Sequence, residues 1–258
     1  PTGTGKTIST LFPAFKAVGE EEGEKIFYLT AKTITRQVAE DAMTALKDTG
    51  AEVKSVTLTA KDKICFLDET TCNPDQCPYA NGYYNRINEG LWDLLNHENQ
   101  ITREVIETYA RKHTLCPFEL SLDVSIWCDV IIGDYNYLFD PTVYLRRFFE
   151  DEKNEDYLFL IDEAHNLVNR SREMYSAELS YEKTKRSKEA IPKEFKKLHR
   201  RFNKLLKEFD SIREIAKEDH WDYHHQKAPA ESLVKAGYQL SEKIKEWLAE
   251  FPEHPSQE

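Results

Sequence analysis

The sequence predicts an α/β fold built on a parallel sheet, with a helical segment after it, and three observations carry this reading. Four short runs, residues 25–30 (KIFYLT), 53–58 (VKSVTL), 129–134 (DVIIGD) and 157–162 (YLFLID), are rich in β-branched and aromatic residues and read as strands. Between the first two, Ile34, Val38, Ala42 and Leu46 fall at helical spacing and Gly50 follows as a stop, so strands alternate with helices as a parallel sheet requires. After Asp162 no further strand is evident; instead Ile191, Phe195, Leu198, Phe202, Leu205, Phe209 and Ile212 recur at steps of 4, 3, 4, 3, 4 and 3, a heptad seam.

The third strand comes roughly 70 residues after the second, and residues 60–127 of that interval hold four of the five cysteines, so they read as an insertion. The expected organisation is a sheet domain at 1–59 and 128–165, the insertion at 60–127, and a helical segment at 166–258. Leu233, Leu240, Ile244 and Trp247 give a shorter helical pattern able to pair antiparallel with the seam. Such a hairpin within one molecule predicts a monomer. The polar stretch between them carries His220, His224 and His225 beside Asp222, which reads as a solvated loop rather than a metal site.

The chain of 258 residues is 40% hydrophobic, enough to bury a core, and its 35 Lys plus Arg against 46 Asp plus Glu leave a net charge of −11. With no apolar run of 18 residues and no signal peptide, the expectation is a cytoplasmic protein without a membrane partner. An odd number of cysteines argues against a disulfide framework and for metal ligation or inert burial. Charge is uneven: residues 181–217 hold 13 Lys or Arg and 6 Asp or Glu, a local +7, and the remainder carries −18. A basic face for nucleic acid and a plain solvated helix both fit that asymmetry.

Chemistry is concentrated in two motifs. The chain opens Pro1-Thr2-Gly3-Thr4-Gly5-Lys6-Thr7, a P-loop whose first position would precede residue 1. Gly3, Thr4 and Gly5 let backbone amides close around phosphates, Lys6 can reach the β and γ oxygens, and the Thr7 hydroxyl can ligate Mg²⁺. The apolar strand at 158–161 runs into Asp162-Glu163-Ala164-His165, two carboxylates at the strand end where α/β sheets bind ligands. Asp162 is then the Mg²⁺ ligand of an ATP site, and Glu163 polarises the attacking water. Cys65, Cys72, Cys77 and Cys116, separated by 6, 4 and 38 residues, suit either a structural zinc or an iron-sulfur cluster. Cys128, at the head of a strand, is assigned to the core.

GTGKT followed by DEAH resembles superfamily-two helicases, and the segments between resemble the XPD/DinG branch of iron-sulfur DNA helicases. YLTAKT at 28–33 is similar to that family's motif Ia, and GDYNYLFDP at 133–141 to its loop before the DEAH strand. Cys77-Pro78-Tyr79 and the CPFEL at 116–120 are similar to its cluster half-motifs, and REMYSAEL at 172–179 to the entry into its helical Arch domain. The resemblance covers about residues 1–179 and implies a RecA-like first motor domain, a [4Fe-4S] cluster on Cys65, Cys72, Cys77 and Cys116, and the start of an Arch from 166. It further implies ATP-driven movement 5′ to 3′ along single-stranded DNA, in concert with a second RecA-like domain of the full-length chain. Nothing in this sequence resembles that second half, so the chain reads as an N-terminal fragment that hydrolyses ATP poorly by itself. The rival reading is a non-catalytic nucleotide-binding module whose four cysteines hold zinc.

The DNA path expected from these parts comprises the insertion, the loop after Thr30 and the basic stretch 183–207. Tyr79, Tyr83, Tyr84 and Arg86 are equally readable as base-stacking groups and as packing for the insertion itself. Tyr135 and Tyr137 alternate with Asp134 and Asn136, so at most one of the two rings is expected to meet nucleic acid.

Overall fold

The computed structural model describes residues 5–31, 33–68, 70, 72–150, 156–218 and 223–251. The chain divides into two compact units, Pro1–Ser176 and Ala177–Glu258.

The first unit is a five-stranded, wholly parallel sheet of β1 (Lys25–Thr30), β2 (Ser55–Thr57), β3 (Gln100–Ile101), β4 (Val130–Asp134) and β5 (Tyr157–Ile161), in the order β3-β2-β4-β1-β5. Successive side chains on a strand point to opposite faces, and both faces here are covered, which is why β1 and β4 are near-continuous apolar runs. Ile26 and Tyr28 of β1 and Val130 and Ile132 of β4 pack with Leu11 of α1 (Lys6–Gly19) and Ala39, Met43 and Leu46 of α2 (Thr33–Asp48). Phe27, Leu29 and Ile131 turn to the other face, into a second core. Phe27 anchors it, with the rings of Phe148, Phe149, Tyr157 and Phe159 between 5.2 and 5.5 Å away. A buried ring of this size contributes about 1.5–3 kcal/mol from area alone.

Residues 60–127 complete that second core. After the short α3 (Lys61–Ile64), helices α4 (Tyr83–His97), α5 (Arg103–His113) and α6 (Pro117–Ser125) bury Leu94, Ile106, Ala110, Leu120 and Val124 in one cluster with Phe27, Leu29, Val56 and Ile131. The segment also supplies β3, whose Gln100 and Ile101 pair with Ser55 and Val56 at the sheet edge. The sequence reading has no strand here, because two residues make no periodic run. Beyond β4 come α7 (Asn136–Phe139) and α8 (Arg146–Phe149), and beyond β5 a 3₁₀ turn (Ala164–Asn166) and α9 (Leu167–Met174).

The second unit is helical. The continuous heptad expected from Ile191 to Ile212 is interrupted: α10 (Tyr181–Ala190) stops at Ile191, which is extended because Pro192 follows, and α11 (Lys196–Glu218) starts afresh. Ile191 and Phe195 therefore lie outside the long helix, yet they still cluster with Leu198, Phe202 and Leu205 against Ala236, Leu240 and Trp247 of α12 (Glu231–Glu250). The Phe195 ring meets Trp247 at 5.4 Å and Phe251 at 5.0 Å, and Arg201 donates to Gln239 at 2.7 Å, so α11 and α12 run antiparallel as the sequence predicts. Among the described residues no helix is long and apolar enough to cross a membrane.

Candidate nucleotide site and cysteine region

Gly5 sits at the N-cap of α1 with φ +70°, a left-handed backbone that glycine adopts without steric cost. Lys6 is the first helical residue, and the unpaired amides and positive end of α1 open beside it. Gly3 and Thr4 lie outside the described residues, as does Lys32 of the 28–33 motif. Across from α1, the parallel ladder of β1 and β5 continues one residue past β5, where the Asp162 amide donates to the Leu29 carbonyl at 2.9 Å. That pairing holds Asp162 at the C-terminal end of the strand. Lys6, Thr7, Thr10, Tyr28 and residues 159–162 line one cavity of about 250 Å³.

Tyr28 is the residue that sequence reasoning passed over. Its hydroxyl is 3.4 Å from the Thr7 hydroxyl, and it lines the cavity together with Asp162. Burial raises its pKa, the Thr7 contact partly offsets this, and the Asp162 charge raises it further, so the phenol keeps its proton at neutral pH. A tyrosine in an apolar strand adjacent to the one ending in two carboxylates was the available signal. Glu163 follows Asp162 but is not among the residues lining the cavity; it is exposed, in the left-handed region at φ 51°, with its carboxylate 3.3 Å from His165 Nδ1. The cavity thus joins an ammonium and a helix N-terminus, suited to phosphate, to the Thr7 hydroxyl and Asp162 carboxylate, hard oxygen donors of the kind Mg²⁺ accepts alongside its waters.

Cys65 ends α3 and Cys116 begins α6, while Cys72 and Cys77 lie in the chain between α3 and α4. Cys65 caps α3, with its amide on the Lys61 carbonyl at 3.0 Å; Cys77 is buried, with its amide on Asn73 at 2.8 Å; Cys72 is exposed. Cys116 is the N-cap of α6, where its carbonyl accepts the Leu120 amide at 2.9 Å. Burial holds the Cys116 thiol above its ordinary value, an effect that the backbone amides of α6 and Lys61 only partly offset. Burial alone would lower the Lys61 amine, but interaction with Cys72 and the charges of Glu119 and Cys116 hold it above its ordinary value. The net direction at Cys116 is upward, so the protein alone favours its thiol, and a bound cation would have to supply the charge that makes it a ligand. Among the described residues no three His, Cys, Asp or Glu side chains converge as a metal-binding group. Cys128 is core, as expected: it is buried, its sulfur lies 3.4 Å from the Val124 carbonyl, and burial pushes its thiol up to about 12.

Residues 49–184, more than half of the chain, match the DEAD_2 family. The chain belongs to the DEAD_2 family. This DEAD_2 chain is 25% identical over 221 residues to the general transcription and DNA repair factor IIH helicase subunit XPD/RAD3 of Saccharomyces cerevisiae, covering 72% of this chain and 28% of the yeast protein. It is 27% identical over 222 residues to the regulator of telomere elongation helicase 1 homolog of Caenorhabditis elegans, covering 70% of this chain and 22% of the worm protein. A solved XPD helicase superposes with a TM-score of 0.54 at 21% identity, over 83% of this chain and 36% of that one, which bears out the parallel α/β fold. The chain therefore spans less than a third of the length of either curated relative.

The aromatic groups of this DEAD_2 chain divide by environment. Tyr83 is buried and donates to Asp123 at 2.7 Å; Tyr79 packs edge-on against Phe66 at 4.9 Å. Arg86 is spent on the Asn81 and Thr114 carbonyls at 2.6 and 2.7 Å. Only Tyr84 of this group, 87% exposed, presents a free ring face to solvent. Neither Tyr135 nor Tyr137 meets solvent: the chain turns into α7 after Asp134, so the strand alternation expected of them ends there and both rings are buried. The Tyr137 ring lies against Gly133, where any Cβ would approach it to 2.9 Å. His220 and Asp222 lie outside the described residues, and His224 contacts Gln226 at 3.1 Å.

Proposed function

We propose that this chain carries the first motor domain of an ATP-dependent DNA helicase that couples ATP hydrolysis to 5′ to 3′ movement along single-stranded DNA. The observation that supports this most is the meeting of Lys6, Thr7 and Asp162 in one cavity at the C-terminal ends of parallel strands. In this reading the α1 amides and Lys6 bind the triphosphate. Thr7 and Asp162 hold Mg²⁺, which screens phosphate charge when bound, and Glu163 orients and deprotonates the attacking water. A second RecA-like domain stabilises the developing charge from the opposite side. Cys65, Cys72, Cys77 and Cys116 hold a [4Fe-4S] cluster that would tie the 65–81 segment to α6, and the Arch begins near residue 166.

The helical unit supports the DNA assignment. Lys197, Arg200, Arg201, Lys204 and Lys207 of α11 and Lys243 of α12 line a groove of about 800 Å³ with Asn203 and Glu246. Arg201 and Lys204 are hydrogen-bonded to Gln239 and Lys243 is paired with Glu246, which leaves Lys197, Arg200 and Lys207 as exposed cations suited to backbone phosphates. Each phosphate contact on a single strand contributes about −0.7 to the slope of log K against log salt. Replacing Lys197, Arg200 and Lys207 by Glu is therefore expected to weaken single-strand affinity and flatten that slope by about 2 in a fluorescence-anisotropy titration, with little dependence on base sequence. An unchanged slope would confine the DNA path to the first unit, and a wild type that binds no single-stranded DNA would sink the DNA reading.

A further inference from the structure

Beside the nucleotide cavity stands a tyrosine with no role in the mechanism just described. Tyr135 is fully buried, and its hydroxyl donates to the Asp162 carbonyl and lies 3.1 Å from the Glu163 carbonyl. The backbone it grips is unusual. Glu163 has φ 51° and ψ 43°, a left-handed conformation that L residues with side chains rarely adopt and that persists only where the surroundings hold it. The Glu163 carbonyl also receives the Asn166 amide at 2.9 Å and Asn166 Nδ2 at 3.2 Å, so the turn is tied on one side by its own 3₁₀ helix and on the other by Tyr135.

Tyr135 is itself fixed. The Asn136 amide donates to Asp134 Oδ1 at 3.0 Å, the Asp134 carboxylate lies 3.5 Å from Arg36 Nη2 on α2, and Asn136 Oδ1 accepts from Arg170 Nη2 on α9 at 3.1 Å. The loop after β4 is thereby braced against both the helix that follows β1 and the helix that follows the DEAH turn.

We propose that Tyr135 is a positioning residue: by holding the peptide between Asp162 and Glu163 in its left-handed turn, it sets where the Glu163 carboxylate stands relative to the nucleotide cavity. This rests on the ATP-hydrolysing role of that cavity proposed above. Because Tyr135 touches neither phosphate nor metal-ligating side chains, its loss should move the chemical step and spare binding.

The test is Tyr135→Phe in the full-length protein, read as steady-state ATP hydrolysis with Mg²⁺ and single-stranded DNA, nucleotide affinity with a fluorescent ATP analogue, and thermal melting. The control is Tyr137→Phe, a second buried tyrosine of the same loop whose hydroxyl has no hydrogen-bond partner among the described residues. The expected result for Tyr135→Phe is a kcat about tenfold lower or less, with KM and nucleotide affinity within about twofold of wild type and the control unchanged. 4-Aminophenylalanine at position 135, which keeps a donor in place, should restore most of kcat and also covers the case of a poorly folded Phe variant. An unaltered kcat in Tyr135→Phe, an equal loss in the control, or no recovery with the donor-bearing side chain would overturn the inference. A wild-type protein without ATP hydrolysis would instead remove the reading beneath it.

Discussion

Glu163→Gln in the full-length protein should bind ATP within about twofold of wild type and lose turnover by about 10² to 10⁴, the range for removing a general base. The carboxylate stands at the end of β5 just outside the cavity lined by Lys6, Thr7 and Asp162, so the amide leaves the phosphate-binding groups untouched. Lys6→Ala should do the opposite. Removing a charge-assisted contact costs about 1.5–3 kcal/mol, so ATP affinity should fall by roughly ten- to a hundred-fold, measured by calorimetric titration with Mg²⁺ present. Normal turnover in Glu163→Gln would show that another group activates the water.

The cysteine substitutions should be the second large effect. Replacing Cys65, Cys72, Cys77 or Cys116 by Ser should remove iron and labile sulfide from anaerobically purified protein, bleach its visible absorbance and abolish strand separation. Cys128→Ser should do neither, since that sulfur is buried against Val124. Damage should stay local: α4, α5 and α6 share an apolar core with the sheet and do not depend on the metal for their packing, so far-ultraviolet circular dichroism should be nearly unchanged and ATP affinity retained. Zinc at one equivalent in a colourless wild type would favour the rival structural-zinc module. Iron retained in Cys65→Ser and lost in Cys128→Ser would refute the ligand set.

The parts of the fold legible in the sequence are those whose signal is long. β1 and β4 are apolar runs because both faces of the sheet are covered; in α2 the expected positions Ala42 and Leu46 are buried, but Val38 is exposed and Ala39 and Met43 take its place in the core. β3 was illegible because it joins the sheet through two residue pairs, Ser55 with Gln100 and Val56 with Ile101. The heptad seam was half right, because residues can share a cluster without sharing a helix: Pro192 breaks the backbone while Phe195 still reaches Trp247. At the candidate site, Lys6, Thr7 and Asp162 were readable as motifs, whereas Tyr28, Tyr135 and Lys61 were not. Each of these three acts through a neighbour distant in sequence, Tyr28 on Thr7, Tyr135 on Asp162 and Lys61 on Cys116, and no local spacing records such pairings.

Strand displacement by the full-length protein on partial duplexes tests the central claim most directly, using one duplex with a single-stranded 5′ tail and one with a 3′ tail, each with and without ATP and Mg²⁺. The account predicts release of the shorter strand from the 5′-tailed duplex alone, only when ATP and Mg²⁺ are both present, and none with Glu163→Gln. Displacement that proceeds without ATP, that prefers the 3′ tail, or that is absent from both duplexes in a protein shown to bind ATP and iron would contradict it.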